Sequence, residues 1–135
     1  MKIFIKKVWL ILLMMALVVE LNPIQASATV NKPSENWNLN PSKDGRYSGR
    51  GNAKGTNLYS NYNFTSVTKM RFEVVNKGEK DITVNIYRTD AYVSYYRITV
   101  EANSTAIWNM STNSSKKYYV RFSAPCNFTY TVTKG

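Results

Sequence analysis

From residue 58 to the C-terminus, apolar and polar side chains alternate with a period of two. The alternation is strict in five runs, whose apolar positions fall at residues 70–74, 82–86, 96–100, 118–122 and 128–132. Successive side chains of a β-strand point to opposite faces of a sheet, so this period predicts strands with one face in a core. The Val, Ile, Thr, Tyr and Phe residues of these runs suit a pleated, half-buried surface. No stretch in this region has helical spacing, so the chain is predicted to be all-β.

Short polar segments separate the runs, at a spacing typical of a sandwich. We predict a small antiparallel β-sandwich, jelly-roll-like, with about seven or eight short strands in a single domain at residues 57–135. The segment NKGEKD at 76–81 predicts a hairpin, and APCN at 124–127 predicts a turn between two paired strands. The predicted core consists of Leu58, Tyr62, Phe64, Met70, Phe72, Val74, Ile82, Val84, Ile86, Tyr96, Ile98, Val100, Trp108, Tyr118, Val120, Phe122, Tyr130 and Val132.

Residues 1–28 have the layout of a secretory signal peptide, with a basic start, a short apolar stretch and small residues at the end. The apolar stretch at 8–19 predicts the signal-peptide helix, and Ala26 and Ala28 predict cleavage between Ala28 and Thr29. A transmembrane anchor is the alternative, but it needs about 20 apolar residues, and Glu20 ends this stretch early. The layout is typical of bacterial export. The expected location is therefore extracellular, either free or associated with the cell wall.

The chain is strongly basic. It contains 18 Lys and Arg residues against 8 Asp and Glu residues, a net charge of +10. Residues 1–28 hold three of the lysines and one glutamate, so 15 basic and 7 acidic residues remain after them, a net charge of +8. Such a charge attracts polyanions and favours solubility, but it says little about the fold. The candidate partners are anionic polysaccharide, teichoic acid, an anionic membrane surface and nucleic acid; a solvated basic surface is the alternative.

Residues 29–56 are polar, contain four glycines and two prolines, and show no period. We predict an irregular polar and basic leader, attached to the domain through Trp37 and Leu39. Its central part, GRYSGRGNAKG, resembles the Arg/Gly tracts that bind RNA. A flexible linker is the simpler interpretation, so a nucleic-acid partner is not expected.

The sequence contains no histidine. Without histidine, the Ser-His-Asp and Cys-His arrangements lack their general base, and zinc sites built on histidine are excluded. The acidic residues fall in turns or among cations on predicted solvent faces, and no DxDxD spacing indicates calcium. We therefore predict that the protein is not an enzyme and needs no cofactor or metal.

Cys126 is the only cysteine, which excludes an internal disulfide. A reactive thiol would need nearby positive charge or a helix N-terminus to lower its pKa. Beside Pro125, a small buried hydrophobic residue is the favoured interpretation.

Tyrosine is the most distinctive component, and all ten tyrosines follow residue 28. Flat phenol rings stack on sugars and on bases, and they suit membrane interfaces. Alternatively, cross-strand Tyr–Arg and Tyr–Thr pairs only stabilise an exposed sheet, by about 0.2–1 kcal/mol each. The alternation predicts an outward binding face of tyrosines and cations, formed by Tyr59, Lys69, Arg71, Tyr87, Tyr95, Arg97, Lys117, Tyr119 and Arg121.

The C-terminal stretch KKYYVRFSAPCNFTYTVTKG contains a Tyr-Tyr-Val-Arg run at 118–121 and a Tyr-Thr-Val run at 130–132. It resembles the final strand pair of bacterial pre-peptidase C-terminal (PPC-like) domains, although the usual glycine of the last turn is replaced at 124–127. The resemblance implies a β-sandwich of the kind attached to secreted enzymes, without catalysis of its own, that aids substrate or wall binding.

These observations predict a small secreted, non-catalytic β-sandwich that binds anionic cell-wall polymer or carbohydrate through its Tyr/Arg/Lys face. A secreted cationic antimicrobial or membrane-active protein is the alternative, although the sequence has no amphipathic helix. A matrix protein that self-assembles through sheet edges is a third hypothesis. Lys and Arg residues on the strands weigh against edge pairing, so a monomer is expected.

Overall fold

The computed structural model describes residues 26–135, and this part of the chain is all-β, as predicted. The predicted signal-peptide helix lies outside the described residues. Within them, no helix is long and apolar enough to cross a membrane. The strands are β1 (Ala26–Ser27), β2 (Glu35–Asn38), β3 (Tyr47–Ala53), β4 (Leu58–Tyr59), β5 (Tyr62–Thr65), β6 (Lys69–Asn76), β7 (Ile82–Arg88), β8 (Ser94–Val100), β9 (Thr105–Ser111), β10 (Tyr118–Phe122) and β11 (Cys126–Lys134).

The strands form two sheets. The first sheet has the order β1-β3-β11-β6-β9, and the second has the order β2-β5-β10-β7-β8, with β4 also pairing with β10. Most pairs are antiparallel, as predicted, but β1 pairs with β3 and β2 pairs with β5 in parallel. Both sheets are therefore mixed, and each parallel pair lies at a sheet edge.

The core lies between the two sheets and contains most of the predicted residues. Tyr96 is an exception at 38% exposed, and Tyr62 and Ile98 are only half-buried. Tyr96 and Ile98 belong to β8, an edge strand that has a neighbour on one side only. Cys126 is buried, as predicted, and burial raises the pKa of its thiol. The core also includes buried side chains that the prediction omitted, namely Leu39, Tyr47, Val67, Met110 and Phe128.

The prediction of an irregular leader at 29–56 is wrong, because this segment contains β2 and β3. All seven residues of β3 pair with β11, so the flexible-linker interpretation of GRYSGRGNAKG is wrong as well. The inward positions of β3 do alternate, but two of them are Gly49 and Gly51. The rings of Tyr130 and Phe128 lie directly against these glycines, and a Cβ on Gly51 would sit 2.6 Å from Phe128 Cζ. Glycine is needed because neighbouring rings occupy the space of its missing side chain.

The chain crosses between the sheets more often than predicted. β6 and β7 belong to different sheets, so the hairpin predicted at 76–81 is wrong; β10 and β11 also belong to different sheets, so they do not pair around 124–127. A buried side chain holds the first crossing: Asn76 Nδ2 donates to Lys80 O at 2.8 Å and to Val100 O at 3.0 Å. Periodicity identifies strands but not their partners, which explains the error.

The predicted signal-peptide cleavage falls just after β1. Ala26 and Ser27 pair with Gly49 and Arg50, so cleavage after Ala28 would remove β1 and leave β3 as the edge strand. Cleavage itself stays a prediction.

Candidate functional site

The outer face of the second sheet carries three tyrosines in contact. Tyr119 on β10 lies opposite Tyr87 on β7, and Tyr59 on β4 lies opposite Arg121. The Tyr87 and Tyr119 rings are stacked, with centroids 5.3 Å apart and an interplanar angle of 15°. The Tyr59 and Tyr119 centroids are 6.1 Å apart at 50°. Neighbouring strands in register therefore place three outward rings side by side, with Tyr119 in the middle.

Two cations lie over these rings. Lys32 Nζ is 5.9 Å from the centroid of Tyr119, and Arg121 Cζ is 5.4 Å from the centroid of Tyr87. Both distances fall within the range of cation–π attraction, about 6 Å. Lys32 comes from the segment between β1 and β2, which a two-residue bridge holds against the sheet: Thr29 N donates to Tyr59 O at 3.0 Å, and Tyr59 N donates to Thr29 O at 2.6 Å.

The three rings and two cations surround an open cavity of about 170 Å³. Typical small-molecule pockets hold about 300–1,000 Å³, so this cavity accommodates one small group of a ligand rather than a whole drug-sized molecule. We call it the tyrosine cup. Its lining residues are Lys32, Tyr59, Tyr87, Ala91, Tyr92, Tyr119 and Arg121.

Arg121 has an unsatisfied hydrogen-bond donor in the tyrosine cup. Its Nε is buried and has no hydrogen-bond partner among residues 26–135. The ion pairs formed within this part of the chain both use Asp90, so no carboxylate of these residues pairs with Arg121. Buried donors normally have a partner, and an unsatisfied one costs about 1–3 kcal/mol. Arg121 as a whole is only half-buried and lines the cavity, so a carboxylate or phosphate there would bond to the accessible part of its guanidinium, whose planar fork matches the geometry of both anions.

The loop between β7 and β8 forms one side of the tyrosine cup. At its base, Arg88 Nε donates to Asp90 Oδ1 at 2.7 Å, and Lys116 Nζ donates to Asp90 Oδ2 at 2.9 Å. Hydrogen bonds from Lys116 and Arg88 hold the pKa of Asp90 at about 2. The two ion pairs connect the base of the loop to Arg88 and Lys116. The tip of the loop presents Tyr92 and Val93 at 103% and 76% exposure.

The structure brings four of the nine predicted binding residues together: Tyr59, Tyr87, Tyr119 and Arg121. Tyr119 is only 7% exposed, because its neighbours cover it, so the sequence overestimated its accessibility. Arg97 lies on the same sheet face, one strand further out, opposite Asn85.

Lys117 is exposed at the start of β10, where its carbonyl oxygen accepts a hydrogen bond from Thr89 N at 3.0 Å. It therefore adjoins the β7–β8 loop without lining the tyrosine cup.

The other three predicted binding residues are not part of this face. Lys69 and Arg71 lie on β6 in the first sheet, so the prediction that they share a face with the tyrosines is wrong. Tyr95 was also wrongly assigned: its ring centroid is 5.5 Å from that of Tyr118, a core residue, and its hydroxyl donates to Ser111 O at 2.9 Å. The cause is a register shift between Ile86 and Tyr87: Tyr95 is the extra residue at the shift, so the alternation that holds from Tyr96 to Val100 does not extend to it.

Sequence reasoning missed Lys32, Ala91 and Tyr92. Lys32 lies at residues 29–56, the segment predicted to be an irregular leader, where no pattern indicates its position. Tyr92 had a usable signal, because a tyrosine next to valine in a polar hairpin loop is an unusual exposed pair.

A second, larger groove of about 460 Å³ lies on the first sheet, with Arg50 and Lys77 among its lining residues. Ser27 and Ala28 form part of its wall and precede the predicted cleavage point. It lacks the outward-facing tyrosine rings and the unsatisfied arginine donor of the tyrosine cup. The tyrosine cup is therefore the better candidate.

Residues 26–135 contain no group of three or more Cys, Asp or Glu side chains placed to hold a metal ion. No protein-family model matches the chain, and neither a curated protein nor a solved structure is significantly similar to it. The resemblance of the C-terminal stretch to PPC-like domains stays a prediction.

Proposed function

We propose that this is a secreted, non-catalytic binding protein that recognises an anionic cell-wall polymer, either an acidic polysaccharide or a teichoic acid, at the tyrosine cup. Secretion rests on the signal-peptide layout of residues 1–28. The observation that carries the ligand assignment is Arg121, whose Nε has no hydrogen-bond partner among residues 26–135, in a cavity lined by three clustered tyrosine rings.

The chemistry of the tyrosine cup suits a sugar or polyol that carries an anion. The apolar face of a sugar ring packs on a phenol ring, and the tyrosine hydroxyls can donate to or accept from sugar hydroxyls. A carboxylate or phosphate on the same unit would accept hydrogen bonds from Arg121 and attract Lys32. A cavity of this size binds one unit weakly, so a repeating polymer with many units is a more suitable ligand than a monosaccharide.

Binding is favoured over hydrolysis by the composition of the tyrosine cup. No carboxylate lines it, whereas glycoside hydrolysis needs two carboxyl groups about 5–10 Å apart. The absence of histidine removes the usual general base.

The test measures binding to poly(glycerol phosphate) and to polygalacturonate, with neutral dextran as the control, by isothermal titration calorimetry at low salt. Arg121→Gln should weaken binding at least about tenfold, since hydrogen bonds to charged groups contribute about 1.5–3 kcal/mol. Arg71→Gln is the matched control, because it removes the same charge from the first sheet. It should weaken binding about twofold or less.

Equal losses in the two variants would show charge attraction without a site, and no binding to either polymer at low salt would contradict the proposal. Anionic phosphatidylglycerol vesicles provide a third arm. Tyr92 and Val93 form an exposed apolar tip, the observation that favours a membrane-active protein as the second candidate. Binding to vesicles but to neither polymer, abolished by Tyr92→Ser, would favour that candidate.

A further inference from the structure

The edge strands of the two sheets differ in how well they are protected from pairing with another chain. Natural edges are protected by short length, charges, bulges or coverage by another segment. β2 has only four residues and carries Glu35; β8 carries Arg97 and lies at a register shift; β3 carries Arg50 and is partly covered by β1. β9 is the remaining edge, and its sequence TAIWNMS has seven residues with no charge, glycine or proline.

Hydrogen bonds on either side of β9 show which of its backbone groups face the open edge. Asn76 N donates to Ser104 O at 2.8 Å, and Thr112 N donates to Thr68 O at 2.9 Å. Bonded residues alternate along an antiparallel strand, so the even-numbered residues of β9 bond to β6. The N–H and C=O groups of Thr105, Ile107 and Asn109 therefore face outward. Ser111 follows the same pattern, and its carbonyl accepts the hydroxyl of Tyr95 at 2.9 Å.

The open groups of β9 can pair with a second copy of the same strand. Hydrogen-bonded antiparallel pairing requires that two edge-facing residues lie opposite each other. With Ile107 opposite Ile107 of the second copy, Thr105 lies opposite Asn109, and all six free groups of these residues find partners. This register leaves Ser111 to its bond with Tyr95. It also places the two Ile107 side chains, each 53% exposed, against each other on the outer face of the first sheets.

We propose that the protein forms a symmetric homodimer through antiparallel pairing of β9 with β9, centred on Ile107, so that the first sheets of the two chains join into one. An isologous contact of this kind closes on itself and does not propagate into a fibre. A stable interface buries about 1,200–2,000 Å² of accessible surface. Pairing of two strand edges buries less, so the dimer is in equilibrium with the monomer. The proposal does not depend on the function of the tyrosine cup, although two cups per dimer would strengthen binding to a polymer.

The expectation of a monomer rested on Lys and Arg residues distributed over the strands. The structure places such residues on β3, β6, β7, β8, β10 and β11, and none on β9. The one long strand without charge is thus also an edge strand, a combination that periodicity did not reveal.

The first test is the mass of the protein in solution, measured by light scattering over a concentration series up to about 1 mM, the scale of a weak complex. We expect the mean mass to rise toward that of two chains. Ile107→Lys should keep it at one chain, because like charges directly opposite each other destabilise a strand pair. Thr131→Lys is the matched control: it adds the same charge to the same sheet face, but on the central strand β11, and should still dimerise.

A mass of one chain throughout the series would overturn the proposal, and so would an Ile107→Lys variant that still dimerises. Cross-linking tests the register. Opposed residues of a hydrogen-bonded pair have Cα atoms about 5.5 Å apart, within the disulfide range of about 4.4–6.8 Å. With oxidised glutathione as the oxidant, Ile107→Cys should form a linked dimer and Thr131→Cys should not. Equal cross-linking of both variants would contradict the register.

Discussion

β3 and β10 both contribute an inner face to the core, but they do so in opposite ways. β10 fills the space with its own large side chains, Tyr118, Val120 and Phe122. β3 presents Gly49 and Gly51, and the rings of β11 occupy the space instead. A strand can therefore pack against the core through glycines as well as through large side chains, provided that the side chains of a neighbouring strand fill the space beside the glycines.

The two strands meet through one aromatic cluster. Phe122 of β10 stacks on Phe128 of β11, with centroids 3.8 Å apart, and its centroid is 5.0 Å from that of Tyr130. Outer ring atoms of Phe128 and Tyr130 also lie against the β3 glycines, close to where a Cβ would be. The rings of β11 thus contact β3 as well as Phe122, so an added side chain on β3 would displace rings that are already packed against a neighbour.

The largest expected effect comes from giving β3 a side chain like those of β10. Gly51→Val should lower the free energy of unfolding by about 3 kcal/mol, as overpacking does when neighbours cannot shift. A Cβ there would lie 2.6 Å from Phe128 Cζ and 2.8 Å from Leu58 Cδ1. Urea unfolding measures the change. Gly55→Val is the control, since nothing lies within 4 Å of a Cβ at Gly55, and its effect should stay within about 0.5 kcal/mol.

A double variant would show whether the ring is the cause. Phe128→Leu shortens the side chain that covers Gly51, so in that background Gly51→Ala should be less destabilising than in the wild-type protein. Equal costs in both backgrounds would show that the ring is not the cause, and that Leu58 or the backbone preference requires glycine at this position.

The same pair of strands shows how much of the fold the sequence could reveal. β10 was predicted within its observed bounds, because large residues alternate with polar ones. β3 was not predicted, because glycine is not counted as an apolar residue when alternation is sought. Its inward positions, Tyr47, Gly49, Gly51 and Ala53, nevertheless occupy every second position. The partners of each strand could not be predicted either. Alternation is a property of a single strand, and it does not indicate which sheet the strand belongs to.

The candidate site was predictable to a similar degree. Tyr59, Tyr87, Tyr119 and Arg121 follow from outward alternation. Tyr95 does not, because it is the extra residue of a bulge, and the bulge can be recognised only from the pairing of β8 with β7. The assignment of Lys69 and Arg71 was wrong because alternation does not distinguish the outer face of the first sheet from that of the second. Lys32 could not be predicted because it lies in a segment without alternation.

A second prediction concerns alkaline pH and the ring that lies over Gly49. Burial raises the pKa of Tyr130 well above its ordinary value, and the nearby Tyr47 adds to the effect. The unfolded chain ionises this tyrosine near pH 10, at about its ordinary pKa, while the folded protein keeps it neutral. The stability that this difference contributes is present below about pH 10 and is lost as the pH rises toward the folded pKa.

The free energy of unfolding should therefore fall between about pH 9 and 11, and Tyr130→Phe should make the fall shallower. Urea unfolding at several pH values provides the measurement. Tyr92→Phe is the matched control, because Tyr92 is fully exposed and should leave the slope unchanged. Identical slopes for Tyr130→Phe and the wild-type protein would exclude Tyr130 as a source of the alkaline loss.

The smallest expected effect on stability comes from a substitution on the outer face of β10, at Arg121. The buried Nε of Arg121 lacks a partner among residues 26–135, so folding gains no hydrogen bond at that atom. Arg121→Met retains much of the apolar length of the side chain and removes the unsatisfied donor, and such replacements are nearly neutral or stabilising. We expect unfolding free energies within about 1 kcal/mol of the wild-type value, while binding to poly(glycerol phosphate) falls at least about tenfold. A loss of several kcal/mol in Arg121→Met would mean that the arginine supports the sheet, and it would contradict an anion as the partner of this side chain. Residues at binding sites commonly trade stability for function in this way, which makes the combination of retained folding and lost binding the expected signature of the tyrosine cup.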